Sequence, residues 1–549
     1  MILYFIFFER RNYIFCIECT KLKQISKQKG TKNMKKLQSI ICTCILFLSC
    51  MFVQTYAQEN YLNEAIDQGI TKGEFLSTLV EMMGWNESNN QSTSGESYVD
   101  LAKQHGIVLD NYDTVNQTIS KEEAEEIFIR SMGYDLTTGR INFLDKPFEN
   151  VTIDPQNTTQ KMIIDMYQKI REPLEGLNGF YAIKSYPQIE LLPNFDSVGF
   201  GWSHLSVHEE NKVQLEMNTN NAFYLPEDFS KIVNKAHEGN VSTNLMVYAS
   251  QYTKDQYGVG LVEHIITSEE EKKSVIKQIV ASVNHIERDG EEAAFDGVVI
   301  DFEDIINVEL APKFNDFLKA LKEELNKDHK KLYVTVPPRK YYKGYDYKTI
   351  GEIADKIILM AHDYYPKDVK DLTVSDPIEE FNRIESPLTP MKNIYNKDFD
   401  IYYALKDITD EEVGVSDKSK IFLQISFDAV QWRKGEKNNM LSVWHENPPY
   451  EAIKKRIEIQ KTKTDFYMTY NKEFENPYFT YYDDTNNIEN MIWYEDTRSI
   501  LTKINLAKLF GIKNISIWRL GNIPAYNGEN EKSMYLDTWQ QICNQYEKH

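Results

Sequence analysis

The chain has 549 residues, of which 42% are hydrophobic and 12% aromatic. This excludes a disordered or fibrous protein and leaves room for two or three domains. A net charge of −21 excludes the positive footprint that phosphate backbones require, so no nucleic-acid partner is expected.

The first 57 residues read as a leader rather than as fold. Met34 is followed by Lys35 and Lys36, an apolar run from Ile40 to Val53, and Thr55-Tyr56-Ala57. That is the layout of a secretory signal peptide, with cleavage expected near Ala57 and residues 1–33 as an upstream extension. Cys50, after Leu48-Ser49, marks a lipoprotein alternative. A secreted or cell-wall-associated protein is expected. Outside the leader only Cys543 remains, so neither a disulfide nor a cysteine metal site is expected. The histidines lack metal-ligand spacing, and no phosphate-binding glycine loop follows a strand. No metal or cofactor is expected.

Residues 58–140 contain a near-repeat. ITKGEFLSTLVEMMGW (Ile70–Trp85) aligns with ISKEEAEEIFIRSMGY (Ile119–Tyr134). Each copy opens on a capping box, Thr71/Glu74 and Ser120/Glu123, continues with helical apolar spacing and stops at glycine. SYVDLAKQHGIV (Ser97–Val108) predicts a short helix running into a turn, and the Ser/Asn-rich stretch Asn86–Gly95 a loop. The repeat resembles S-layer homology units. The resemblance implies a cell-wall polymer as a possible partner, with lysines (Lys72, Lys121) where those units have arginine. A helical module that packs on the next domain is the competing reading. Residues 141–175 are expected to be a linker.

From Gly176 to the end, β and α signals alternate, which predicts α/β architecture with a parallel sheet. Strands are expected near Val198–Trp202, Leu245–Ala249, Gly297–Asp301, Leu332–Val336, Lys356–Met360, Ile421–Ile425 and Asn514–Trp518, with Val213–Met217 as the eighth. Helices are expected at Glu269–Glu287 and Ala311–Lys327. Eight units suit a (β/α)₈ TIM barrel over 176–549 with a small α+β insertion at about 428–512, preceded by the small helical module. The insertion carries the aromatic segment FYMTYNKEFENPYFTYYDD.

Within this region FDGVVIDFED (Phe295–Asp304) carries the chemistry. An apolar strand ends in three carboxylates, Asp301, Glu303 and Asp304. Acids at the end of a buried strand are costly unless they sit at an open rim or act chemically. Alternation places Val299, Asp301 and Glu303 on one face. Two acids on one face at the C-terminal end of a barrel strand are the layout of an acid site. Spacing alone does not say which of the two works.

FDGVVIDFE resembles the strand-four signature of family 18 glycoside hydrolases, DGxDxDxE. LYVTVPPRK (Leu332–Lys340), IILMAHDYYP (Ile357–Pro366), ENMIWYEDTRS (Glu489–Ser499) and ISIWRLG (Ile515–Gly521) follow in the order of that family's cell-wall and spore-cortex branch. The resemblance implies an exported enzyme cleaving β-linked N-acetylglucosamine polymers, peptidoglycan or chitin-like, with the sugar's own acetamido group as nucleophile and retention of configuration. It makes Glu303 the catalytic acid, a role that requires a carboxyl still protonated near neutral pH. Asp301 becomes the residue that steadies the acetamido N–H. Asp363, His362, Tyr364, Met360 and Trp518 become substrate contacts, with Trp518 as the floor beneath the reacting sugar. Trp202 and Trp493 are weighed as core or rim. A monomer is expected.

Two positions depart from the pattern. His362 stands where the family has a tyrosine that contacts the acetyl group, and a histidine N–H is expected to donate the same hydrogen bond. Val299 stands where the family has its middle aspartate. Loss of that like charge predicts an Asp301 that ionises more easily. A weak or silent carbohydrate-binding wall protein is the second reading of this site.

Overall fold

A computed structural model describes residues 69–85, 97–108, 112, 114–364, 372–373, 386–394, 396–437 and 440–546. The expected leader, with Cys50 and Ala57, lies outside them, as does the loop expected at Asn86–Gly95.

Eight parallel strands close into a barrel. They are β1 (Gly176–Tyr181), β2 (Ser197–Val207), β3 (Ser242–Ser250), β4 (Gly297–Glu303), β5 (Lys331–Val336), β6 (Lys356–Leu359), β7 (Ile421–Ser426) and β8 (Asn514–Trp518). Each pairs in parallel with its sequence neighbour, and β8 returns to β1. The chain is thus a (β/α)₈ barrel.

The eighth strand is not the one expected. Val213–Glu216 runs antiparallel to the far end of β2 and pairs Leu205 with Leu215, outside the barrel. The missing barrel strand is β1, GLNGFY, in which two glycines and an asparagine suppress the strand signal. Both glycines mark tight approaches. A Cβ at Gly179 would lie 2.8 Å from the Phe195 ring, and one at Gly176 would lie 2.6 Å from Asn514 Oδ1. The other seven strands lie where the apolar runs predict. The helix Ala311–Lys327 has the expected bounds, and the other runs from Glu269 to Asn284.

Alternation along the strands sorts side chains into two cores. On β4, Val298, Ile300 and Phe302 face the helices, while Val299 points into the barrel. There it joins Phe180, Met246, Tyr333, Ile358 and Phe422 in an apolar layer. Trp202 is fully buried in the outer core. After β7 the chain builds an antiparallel sheet from Val430–Lys437, Met440–Glu446, Tyr467–Asn471, Asn476–Asp483 and Ile488–Trp493, with Leu372–Thr373 at its edge. The expected aromatic segment forms its Tyr467–Asn471/Asn476–Asp483 hairpin, and Trp493 is buried inside this subdomain.

The N-terminal helices Lys72–Met82, Tyr98–Gln104 and Lys121–Met132 begin at the predicted caps. The first has a full capping box. In the second repeat Ser120 caps the helix, while Glu123 pairs with Lys72 of the first repeat at 2.9 Å. The stretch expected to be a linker contains the helix Thr158–Arg171, whose Met162, Ile163, Met166 and Ile170 are buried in the common core. It is a packed element for a simple reason: its apolar residues recur at helical spacing.

The module is keyed to the barrel through the helix Thr497–Leu509, in which every residue is buried. Tyr402 donates to Glu125 at 2.7 Å, Lys472 to the Tyr134 carbonyl at 3.0 Å, and Tyr535 to the Gly139 carbonyl at 2.6 Å. The Arg498 guanidinium is boxed by the rings of Tyr134, Tyr470 and Tyr535, each within 5 Å. Among the described residues no helix is long and apolar enough to cross a membrane.

Candidate active site

The C-terminal ends of the strands converge on a pocket lined by Phe180, Phe223, Asp301, Glu303, Thr335, Met360, His362, Asp363, Gln424 and Trp518. Six of the seven residues expected at the site line it. The exception is Tyr364, which packs in the core, where its N–H donates to the Leu388 carbonyl at 2.9 Å. It lies beyond Asp363, whose left-handed backbone (φ 61°) turns the chain away from the pocket.

Asp301 is almost fully buried. Its Oδ1 accepts a 2.6 Å hydrogen bond from the Thr335 hydroxyl, which also reaches the Ile300 carbonyl at 3.2 Å. Burial pushes the Asp301 carboxyl up to about 6, against the Thr335 hydrogen bond and the charge of His362. Val299 removes a like charge and belongs to an apolar layer, and desolvation is the largest influence on the Asp301 carboxyl. Glu303 stands two residues further along the same face, half-buried at the pocket wall. Asp304 turns away in a left-handed conformation (φ 67°) and accepts from the Ser250 hydroxyl at 2.8 Å. The Tyr248 hydroxyl is pushed up by burial and by the charges of Glu303, Asp301 and Asp304, so it stays protonated.

His362 is held at both ring nitrogens. Nδ1 lies 2.9 Å from Asp363 Oδ2 and Nε2 lies 2.6 Å from Gln424 Oε1. Burial opposes its charge, but the Asp363 carboxylate and both hydrogen bonds outweigh burial and hold the ring up to about 9. It is an imidazolium at neutral pH, with each N–H donated to a protein oxygen. The expected N–H toward an acetyl group is therefore already committed.

Trp518 lies partly exposed at the pocket base, its ring 5.5 Å from Phe180 and 6.4 Å from Phe223. Asp428, just past β7, accepts a hydrogen bond from the Trp518 side chain and another from Asn522 at 2.9 Å. Met360 completes the wall. Among the described residues, no cluster of histidine, cysteine and carboxylate side chains is set to hold a metal ion.

Four lining residues went unread in the sequence: Thr335, Gln424, Phe180 and Phe223. Two had a signal. Thr335 and Gln424 are polar residues at inward positions of otherwise apolar strands, LYVTV and IFLQI, near the end that carries the acids. Phe180 belongs to the unread strand β1, and Phe223 to a connection without periodicity.

The arrangement offers a half-buried carboxyl, a buried carboxylate beside it and an aromatic floor, on a closed barrel. The profile of the glycosyl hydrolases family 18 matches residues 179–522, more than half of the chain. The cortical fragment-lytic enzyme of Bacillus anthracis is 23% identical over 304 residues, covering 54% of this chain and 60% of that protein. Among solved structures, the spore cortex-lytic enzyme SleL of Bacillus cereus aligns with a TM-score of 0.48 and 17% identity, over 68% of this chain and 75% of that one. A chitinase from Chromobacterium violaceum aligns with a TM-score of 0.46 and 15% identity, over 68% and 99%. The chain belongs to family 18 of the glycosyl hydrolases and is a glycosidase.

Proposed function

We propose that this glycosidase acts outside the cell on β-linked N-acetylglucosamine polymers of the peptidoglycan or chitin type, by a substrate-assisted retaining mechanism. The observation that carries the reading is the Asp301/Glu303 pair above Trp518 in one pocket.

Glu303, at the wall, protonates the departing glycosidic oxygen. The 2-acetamido carbonyl attacks the anomeric carbon from the opposite face, so no protein nucleophile is needed. The Asp301 carboxylate accepts the acetamido N–H and stabilises the positive charge that develops on that group. Thr335 fixes the carboxylate's orientation. Trp518 stacks under the sugar, with its indole N–H tethered to Asp428. Glu303, now a carboxylate, then takes the proton of the water that opens the cyclic intermediate. Asp363 and Met360 border the sugar. Extracellular action is supported by the leader and by the relatives' names. The match spans 60% of the length of the Bacillus anthracis relative, so its whole activity is not carried over.

The N-terminal module is proposed to support the barrel, because its second-repeat helix is buried against it. Anchoring on a wall polymer is the alternative, and co-sedimentation of the full chain with purified sacculi tests it. For the enzyme reading, Glu303→Gln is expected to abolish cleavage of an N-acetylglucosamine oligomer while calorimetric binding persists. Hydrolysis by that variant at the parent rate contradicts Glu303 as the acid. Binding by the parent protein with no turnover at any pH supports a silent sugar-binding protein instead.

A further inference from the structure

His362 is the one cationic side chain among the described residues that line the pocket. Its side chain is 10% exposed, and both N–H groups are taken by Asp363 and Gln424. A group so placed cannot donate to the substrate without breaking a protein hydrogen bond. What it still projects into the pocket is charge.

Asp301 faces a site that is otherwise acidic or neutral. Glu303 and Asp304 belong to its own strand, and Asp304 adds repulsion. Tyr248 on β3 and Tyr345 after β5 are neutral phenols. Asp363 and Asp428 lie against His362, and Arg519 after β8 faces Asp428. Beneath lies the apolar layer of Val299, Met246 and Phe180. Among the described residues, Asp301 takes its side-chain hydrogen bond from Thr335. A hydroxyl alone is weak compensation for a buried carboxylate.

We infer that the His362 imidazolium, clamped between Asp363 and Gln424, is the countercharge that keeps the buried Asp301 anionic, a positioning role exerted through space and not by touching substrate. The inference rests on the reading above, in which Asp301 must be ionised to steady the acetamido group. It gives the clamp a purpose. Two acceptors hold the ring charged, and the charge in turn holds Asp301. Glutamine at 362 keeps hydrogen-bonding capacity but loses the charge, whereas lysine keeps the charge and loses the ring.

The test uses the full chain as parent, His362→Gln and His362→Lys. Asp301 is followed by carboxyl ¹³C NMR of labelled aspartate, assigned by the signal lost in Asp301→Asn. The pH profile of kcat/KM on an N-acetylglucosamine oligomer is recorded in parallel. In His362→Gln the Asp301 titration is expected to move up by about one pH unit, and the acid limb of kcat/KM to move with it. His362→Lys is expected to keep both near the parent position. An Asp301 titration unmoved in His362→Gln overturns the inference, as does a uniform loss of rate at every pH. The NMR arm requires no turnover. Failure of the substrate-assisted reading shows instead as equal cleavage of the matching glucose oligomer by the parent, so the two failures are distinct.

Discussion

The pocket and the seam between the N-terminal module and the barrel both bury charge, and they do it in opposite ways. At the seam each buried charge has partners. Glu495 meets Lys503, Ser499 and Asn476, Asp496 meets Arg498 at 2.7 Å, and Glu475 meets Lys472 at 3.0 Å. In the pocket, among the described residues, Asp301 has one hydroxyl and a cation beyond hydrogen-bonding contact. Satisfied buried charges lock elements together because their geometry has few alternatives. An under-satisfied one holds free energy that a substrate can draw on.

Four changes test the contrast, in order of expected size. Glu303→Gln removes the proton donor and should lower kcat by about 10³-fold or more, within the range general acids contribute. This is measured with an oligomer whose leaving group needs protonation. At the seam, Lys503→Met leaves Glu495 buried and unpaired. It should cost about 3–5 kcal/mol in chemical denaturation, and Lys503→Met with Glu495→Leu should recover most of that.

Asp301→Asn should act the other way on stability. The folded-state pKa of about 6 lies above the ordinary 3.8, so the folded chain holds this proton more tightly. Stability contributed by protonated Asp301 is therefore lost as pH rises from about 4 to about 6. The variant should be more stable than the parent by about 1–3 kcal/mol at pH 7.5, with no gain near pH 4, while losing activity. Denaturation at both pH values checks it. Smallest is Lys392→Ala, which breaks the partly exposed pairs to Glu122 and Glu126. It should cost about 1 kcal/mol, and less in high salt.

Where the sequence could be read, one property decided it: strict alternation on strands covered on both faces. It placed Asp301 and Glu303 on one face, and seven of the eight barrel strands were visible as apolar runs. Strand β1 escaped because its glycines serve close packing against Phe195 and Asn514, a tertiary requirement without local signature. The desolvation of Asp301 was not legible for a related reason. Sequence shows that Val299 is not an acid, but only the folded barrel shows that it belongs to an apolar layer. His362 was legible as a departure. Its role was not, because Gln424, which holds its second nitrogen, lies 62 residues away.

The helix Thr497–Leu509 shows the same limit from the other side. TRSILTKINLAKL carries Arg498, Lys503 and Lys508, yet all three are buried: Arg498 among the rings of Tyr134, Tyr470 and Tyr535, Lys503 against Thr389 and Glu495, and Lys508 against the Ile170 carbonyl. A helix looks amphipathic whether water or another domain covers its polar face.

The central claim is that the substrate's acetamido group, steadied by Asp301, does the work of a protein nucleophile. The most direct measurement compares cleavage of a β-linked N-acetylglucosamine oligomer with that of the matching glucose oligomer carrying the same leaving group. The account predicts rapid release of a β-configured product from the first and none from the second. Equal rates on the two would contradict it.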